Sequence, residues 1–401
     1  MIIKKKDIFL SLFFSVVVLL GLFFHSDFLS IFFVILAYFL VGFRVEKYSS
    51  VHMMFFVGFS TFIFLPTLLN WYYLKIDTLL FFLTSIVSYF FLFLTSKTKV
   101  KNFNDYGNFI RVIYFVFCLS IIVMCLSGVN DLAAPSMAFL IILLSLSFKQ
   151  DNIKNNSLYL LLFIVTFFVY LIFSWGGFGR TVVFGWLLLA FLQFFYSIKF
   201  YINKYIFGLL PGFGATILTN RDIFELKFSG FEESLSDSAY GPYRLASTFI
   251  DHFNLHGYDF IGFFDQIIFS LFVFIPRSIW PDKPYGFGFE YTVRNFDDSL
   301  IEAGHSIAST LIGEHIYYLG YLGIITSLIV FSFIALLVNF LYKIKGLNGN
   351  GVLIFSASMM VLVWGGMTSF STRIALPTII FLVLYFTLRR FLINNTRIKW
   401  G

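Results

Sequence analysis

The chain predicts an all-α polytopic membrane protein. Three observations carry this: 59% of its 401 residues are apolar, only 12% are charged, and the apolar residues gather in runs long enough to cross a bilayer. Hydrocarbon offers backbone amides no partner outside their own segment, so each run is expected to be helical. No alternating apolar and polar pattern favours a barrel.

In chain order the runs lie near 8–24, 28–43, 51–69, 78–95, 109–127, 133–148, 157–175, 181–198, 205–219, 316–341, 351–369 and 375–392, about twelve spans. Basic residues test that count, because a wrong number of spans would scramble their sides. With a cytoplasmic N-terminus, 19 of the 28 Lys and Arg fall in short inside loops and termini, from Lys4, Lys5 and Lys6 to Arg397 and Lys399. The short outside turns hold only Lys75, Arg180 and Arg373. The chain is thus expected to be one membrane-embedded domain, 1–401, with both termini cytoplasmic.

Between the ninth and tenth spans lies a polar, loop-like insert, 220–305, with 13 of the 21 acidic residues, four of the eight prolines and six basic residues. The span count places it outside the cytoplasm. Within it, 260–276 is nearly apolar enough to cross, but it carries Asp265 and Gln266 and ends in Pro276-Arg277. A thirteenth crossing would move Arg389, Arg390, Arg397 and Lys399 outside, so this segment reads as an interfacial or re-entrant helix.

The net charge of +7 sits in the cytoplasmic loops, where it meets anionic lipid headgroups, and implies no nucleic-acid partner. Cys118 and Cys125 are seven residues apart in one span, about 10 Å along a helix, too far for a disulfide. They read as packing residues. No metal-type cluster of Cys and His, phosphate-binding glycine loop or nucleophile elbow is present.

Four outside stretches each present an arginine: Gly176–Thr181 with Arg180, Tyr240–Arg244, Pro276–Pro284 with Arg277, and Ser369–Arg373. A guanidinium is planar and permanently charged, suited to gripping phosphate oxygens, although a loop arginine is also an ordinary headgroup contact. The stretch Gly304–His315 follows. If helical, it sets Ser306, Ser309, Thr310 and Gly313 on one small polar face able to receive a sugar. Glu314 and His315 then sit at the membrane boundary, where burial tunes proton affinity. Structural hydrogen bonding is the competing role for His305, Glu314 and His315, and for His252 and His256.

These features together resemble the Wzy-type O-antigen or oligosaccharide repeat-unit polymerases. The resemblance is carried by about twelve spans, the large late loop, IPRSIWPDKP at 275–284 and HSIASTLIGEHIYYLGYLG at 305–323, with Arg277 ten intervening residues before Gly288. The related O-antigen ligases place nine residues between a His pair and a glycine group. Here thirteen separate His305-Ser306 from Gly320. The resemblance implies a GT-C-like membrane glycosyltransferase in the bacterial inner membrane, with no cofactor and no metal. Its implied partners are the bilayer, undecaprenyl-diphosphate-linked oligosaccharide as donor and acceptor, a flippase and a chain-length regulator. It further implies that Arg180, Arg277 and Arg373 cluster on the diphosphate, and that Glu314 or His305 handles the acceptor proton. Arg244 and His315 would hold the glycan. Ligase-type transfer and a flippase are the alternative functions.

Overall fold

Helix is the only regular structure among the described residues, which in this computed structural model are 27–46, 49–65, 108–175, 180–209, 241–295, 308–344 and 350–397. The spans expected at 8–24 and 78–95, most of 205–219, and His305 lie outside them. The helices in order are α1 (Asp27–Arg44), α2 (Ser50–Phe59, continued by a π turn Ser60–Phe64), α3 (Asn108–Leu126), α4 (Asn130–Ser147), α5 (Ile153–Phe173) and α6 (Arg180–Ser197). After these come α7 (Gly241–His256), α8 (Phe260–Phe272), α9 (Phe287–Asn295), α10 (Thr310–Leu319), α11 (Leu322–Tyr342) and α12 (Leu353–Arg397).

Four runs are long and apolar enough to cross a membrane: Asn108–Leu126, Ile153–Phe173, Leu322–Tyr342 and Asn350–Ile379. The first three are only 28%, 33% and 33% buried, whereas the last is 94% buried, so α12 is the axis and α3, α5 and α11 form the outer wall. Each outer helix is apolar on both faces. On α3, Ile110, Tyr114, Cys118, Ile121 and Cys125 recur every three or four residues and pack inward, while Phe115, Val116, Leu119 and Val123 stand exposed. An exposed apolar face on a long helix is unfavourable in water and ordinary in lipid, so the chain is a helical membrane protein.

Small residues let the central helices approach. A methyl group at Gly185 would meet the Ala357 carbonyl at 2.8 Å, and one at Gly58 the Met360 backbone at 3.0 Å, so α6 and α2 lie almost against the α12 main chain. Van der Waals contact does here what expulsion of water does in a soluble core.

At one end of the bundle, buried polar groups find each other. Ser145 donates to Asn350 Oδ1 at 2.9 Å and Gln193 donates to Ser50 at 2.5 Å, joining α4, α6, α2 and the turn before α12. Asn156 donates to Ser197 at 2.8 Å, and Lys199 pairs with Asp151 across two adjacent connections. Lys204 reaches the Phe43 carbonyl at 3.2 Å. The connections near 44–46, 49–50, 149–153, 199–204 and 350 are therefore gathered together.

Three segments differ from the sequence reading. The insert is largely helical over 241–295, where composition reads as loop, because α7 and α8 pack against α10. The helix expected from Ser306 begins instead at Thr310, whose Oγ1 accepts from Gly313 N–H at 3.1 Å in cap geometry; Ser309 therefore precedes the helix and cannot share its face. The turn expected at Ser369–Arg373 is helix. The break falls at Gly366 (φ 79°), since 370–374 contains no glycine able to adopt that backbone and Gly365-Gly366 does.

Candidate functional site

The Gly366 break is organised by Glu314. Breaking α12 frees the backbone N–H groups that open its second half. The buried Glu314 carboxyl takes them, accepting from Met367 N–H at 2.6 Å, from Thr368 N–H at 3.3 Å and from the Thr368 hydroxyl. A side chain at 366 has no room, for its Cβ would lie 2.5 Å from the Glu314 carboxyl carbon. Glu314 stands on α10, a ten-residue helix that is not one of the spans, and burial pushes its carboxyl up to about 8 against the opposing pull of these hydrogen bonds. His315, next along, is equally buried. Its Nδ1 lies 2.7 Å from the Thr326 hydroxyl, Phe263 meets the ring edge-on, and burial pushes its pKa down to about 3.

Arg277 organises the proline-rich loop after α8. Its Nη1 donates to Lys283 O at 2.6 Å, its Nη2 to Pro284 O at 2.9 Å, and its plane lies 3.8 Å from the centre of the Tyr285 ring. Lys283 reaches back to Val273 O at 3.0 Å and Ile275 O at 2.8 Å, capping the C-terminal end of α8. The IPRSIWPDKP stretch is thus a clasp of two cations on five carbonyls, counting the longer 3.4 Å contact of Arg277 with Pro281 O.

Arg373 lies on α12 beside the Tyr170 hydroxyl of α5. Arg180 opens α6 and Arg244 lies on α7; their side chains are outside the described set. Arg277 thus turns its donors onto the carbonyls of its own loop, whereas the partner seen for Arg373 is Tyr170.

A cavity of about 520 Å³ lies between the insert and α10, lined by His252, His256, Gly257, Asp259, Arg294, Asn295 and Tyr317. α10 supplies Tyr317 to it and Tyr318 to the neighbouring aromatic cluster, with Phe249 and Phe287 packed edge-on against Tyr317. His252 stacks on Tyr317 at 4.1 Å and 11°, and His256 stacks on His252 in turn. Burial, then His256 and Arg294, lower the His252 pKa, so its imidazole is neutral at pH 7. Arg294 pairs with Glu290 one turn earlier on α9, and Glu290 also accepts from Gln266 at 2.7 Å and from the Tyr318 hydroxyl at 3.1 Å. The Tyr317 side chain is 3% exposed, and its hydroxyl has no aligned hydrogen bond among the described residues, although the Arg294 guanidinium lies beside it.

Beside the cavity the surface turns apolar. Leu255, Tyr258, Phe260, Ile261 and Phe264 are 52–81% exposed in one stretch that flanks Gly257 and Asp259. Of the residues the sequence singles out, the structure brings Glu314 and His315 together on α10, one turn from the cavity, and sets Arg277 in its own loop. Sequence reasoning passes over Arg294, Asp259 and Tyr317. The Glu290 and Arg294 pair at i, i+4 was the available signal, but such pairs are common on solvated helices. In comparisons with known proteins the chain matches no protein-family model, no curated protein and no solved structure.

Proposed function

We propose that this chain is a polysaccharide polymerase of the bacterial inner membrane, joining oligosaccharide repeat units carried on undecaprenyl diphosphate. The reading includes a GT-C-like arrangement of about twelve spans, cytoplasmic termini and a periplasmic insert. One observation carries it: a cavity lined by hydrogen-bonding side chains opens beside an exposed apolar ledge, which suits a molecule with a sugar head and a lipid tail. The sequence resemblance at 275–284 and 305–323 points the same way, since these segments form the clasp after α8 and the α10 wall of the cavity.

In this proposal the terminal sugar of one lipid-linked unit occupies the cavity and its hydroxyl attacks the anomeric carbon of the second. The C–O bond to undecaprenyl diphosphate breaks and the diphosphate leaves with the electron pair. Neutral His252 accepts the hydroxyl proton. Charge on the leaving diphosphate falls to arginines outside the cavity, for which Arg180 and Arg373 remain the assignments. Arg277 holds the clasp and Glu314 holds α10 against α12, so both position the site. A flippase supplies the substrate and a chain-length regulator acts on the product.

The test is deletion of the gene followed by electrophoresis of surface glycans. A polymerase deletion leaves lipid core bearing a single repeat. Core with no repeat at all favours ligase-type transfer or a flippase and overturns the proposal. Complementation with Arg294→Ala should fail to restore long chains at normal protein level.

A further inference from the structure

Three rings from two helices form one stack in the cavity wall. Tyr317 of α10 is buried, His252 of α7 lies on it at 4.1 Å and 11°, and His256, one turn on, lies on His252 at 4.1 Å and 23°. Two rings cannot share one face of an imidazole at that distance, so His252 is sandwiched and His256 ends the stack. His256 is exposed and is the last residue of α7, after which Gly257 turns the chain at φ 74°. Its tautomer follows from a backbone contact. Nδ1 lies 3.0 Å from the His252 carbonyl, which can only accept, so Nδ1 carries the proton and Nε2 of the neutral ring is an acceptor. The stack thus ends in a flat face with a lone pair at its edge.

Two side chains with bonding capacity to spare line the same cavity. Arg294 pairs with Glu290 and lies beside the Tyr317 hydroxyl, yet its side chain is 51% exposed and a guanidinium has five donors. Asp259 is pinned by its N–H on Tyr318 O at 2.9 Å and by one carboxylate oxygen on Gly262 N–H at 2.8 Å, whereas a carboxylate has about four lone-pair sites. A ligand here meets a donor at Arg294, acceptors at Asp259 and His256 Nε2, and an aromatic face. Neighbouring ring hydroxyls suit that set, because each both donates and accepts, and a pyranose also has an apolar C–H face to lay on a ring. The volume of about 520 Å³ lies within the range of small-molecule sites.

We propose that His256 is the stacking platform of a sugar subsite, on which one pyranose ring rests while Asp259 and Arg294 bond its neighbouring hydroxyls. The proposal rests on the glycan reading above and deepens it by assigning the residues that grip the terminal sugar of the acceptor.

The experiment uses the full chain in lipid nanodiscs, titrated with the methyl glycosides of glucose, galactose, mannose and N-acetylglucosamine and with nicotinamide, a flat ligand without ring hydroxyls, followed by ligand-observed NMR. At least one glycoside should bind, and more tightly than nicotinamide. His256→Ala should weaken that glycoside about tenfold, whereas His256→Phe, which restores a ring face, should stay within about threefold of the parent. His256 is exposed, so both variants should keep the parent's melting temperature. Asp259→Asn, which retains an oxygen for the Gly262 cap, and Arg294→Gln should each weaken binding about tenfold. Binding by no glycoside, nicotinamide binding as tightly as the best glycoside, or a His256→Phe protein no better than His256→Ala would each overturn the proposal. Parental affinity in His256→Ala, Asp259→Asn or Arg294→Gln would do the same. Glycoside binding with normal surface glycans in the deletion strain defeats only the polymerase reading. Single-repeat glycans in that strain without glycoside binding defeat only this subsite.

Discussion

In the membrane bundle, Ser145, Gln193, Asn350 and Ser50 are buried and bonded to one another, and Ser147, Ser60, Ser356 and Thr166 return their hydroxyls to carbonyls one turn back. In the insert, by contrast, Asp259, Arg294, His252 and Tyr317 converge on open space, and the Tyr317 hydroxyl is left without an aligned bond. The difference separates two uses of polarity. Polar groups bonded within the bundle fix how helices meet in a medium without water, whereas Asp259, Arg294 and His252 line open space and keep hydrogen-bonding capacity beyond their own partners. Glu314 belongs to the first kind although its residue type suggests the second.

The most severe test of that assignment is Gly366→Ala. It forces a side chain into a φ of 79° and into the Glu314 carboxyl carbon at 2.5 Å. A loss of about 3 kcal/mol or more is expected, seen as collapse of monodisperse protein in detergent. Normal yield and melting temperature would show that the break does not depend on this contact.

Next is Arg294→Ala, which should abolish long-chain surface glycan while costing the bundle little, since Arg294 touches only the cavity wall and Glu290. If polymer length were normal, the cavity would belong with the structural groups.

Glu314→Gln should cost about 1–3 kcal/mol, because a carboxyl that stays protonated up to about 8 still presents a second oxygen able to accept from Met367 or Thr368, whereas the amide puts an NH2 with no acceptor there. It should also change the dependence on pH. A carboxyl raised from 4.5 to about 8 takes up a proton on folding, so the parent protein is most stable below about 4.5, weakens as pH rises to about 8 and is level beyond. Melting temperatures across that window should fall more steeply with pH in the parent than in the variant. The same slope in both would remove Glu314 as its source.

Arg277→Lys should cost about 1–2 kcal/mol, since one ammonium cannot hold Lys283 O and Pro284 O in the geometry of the fork or cover the Tyr285 ring. Faster proteolysis within 276–285 would report the opened clasp. The smallest effect belongs to the lipid-facing wall: Ile329→Leu on α11, where Ile329 is 62% exposed, should shift stability by less than about 0.5 kcal/mol. A large loss there would mean that another protein covers this face.

The sequence determined by itself that the chain is a bundle of apolar helices. Run length and low charge are properties of each segment alone, and lipid forces every such segment to satisfy its own backbone. For the segment 260–276 the sequence offered only the charge argument against a crossing, and the structure gives the helix its bounds at Phe260–Phe272, thirteen residues or about 20 Å. Its packing onto α10 was not legible. Only the tertiary structure decided what Glu314, Arg277 and Tyr317 do. Glu314 meets Met367 across 53 positions, and no local spacing reveals that a carboxylate will cap a broken helix. Arg277 was legible as an arginine in a tight proline loop, but whether its donors turn outward to phosphate or inward to carbonyls depends on how that loop closes. Tyr317 reads as one aromatic among many until α7, α9 and α10 place it against His252 and Arg294. Period and composition are written residue by residue, whereas the partner of a buried polar atom is set by which helices meet.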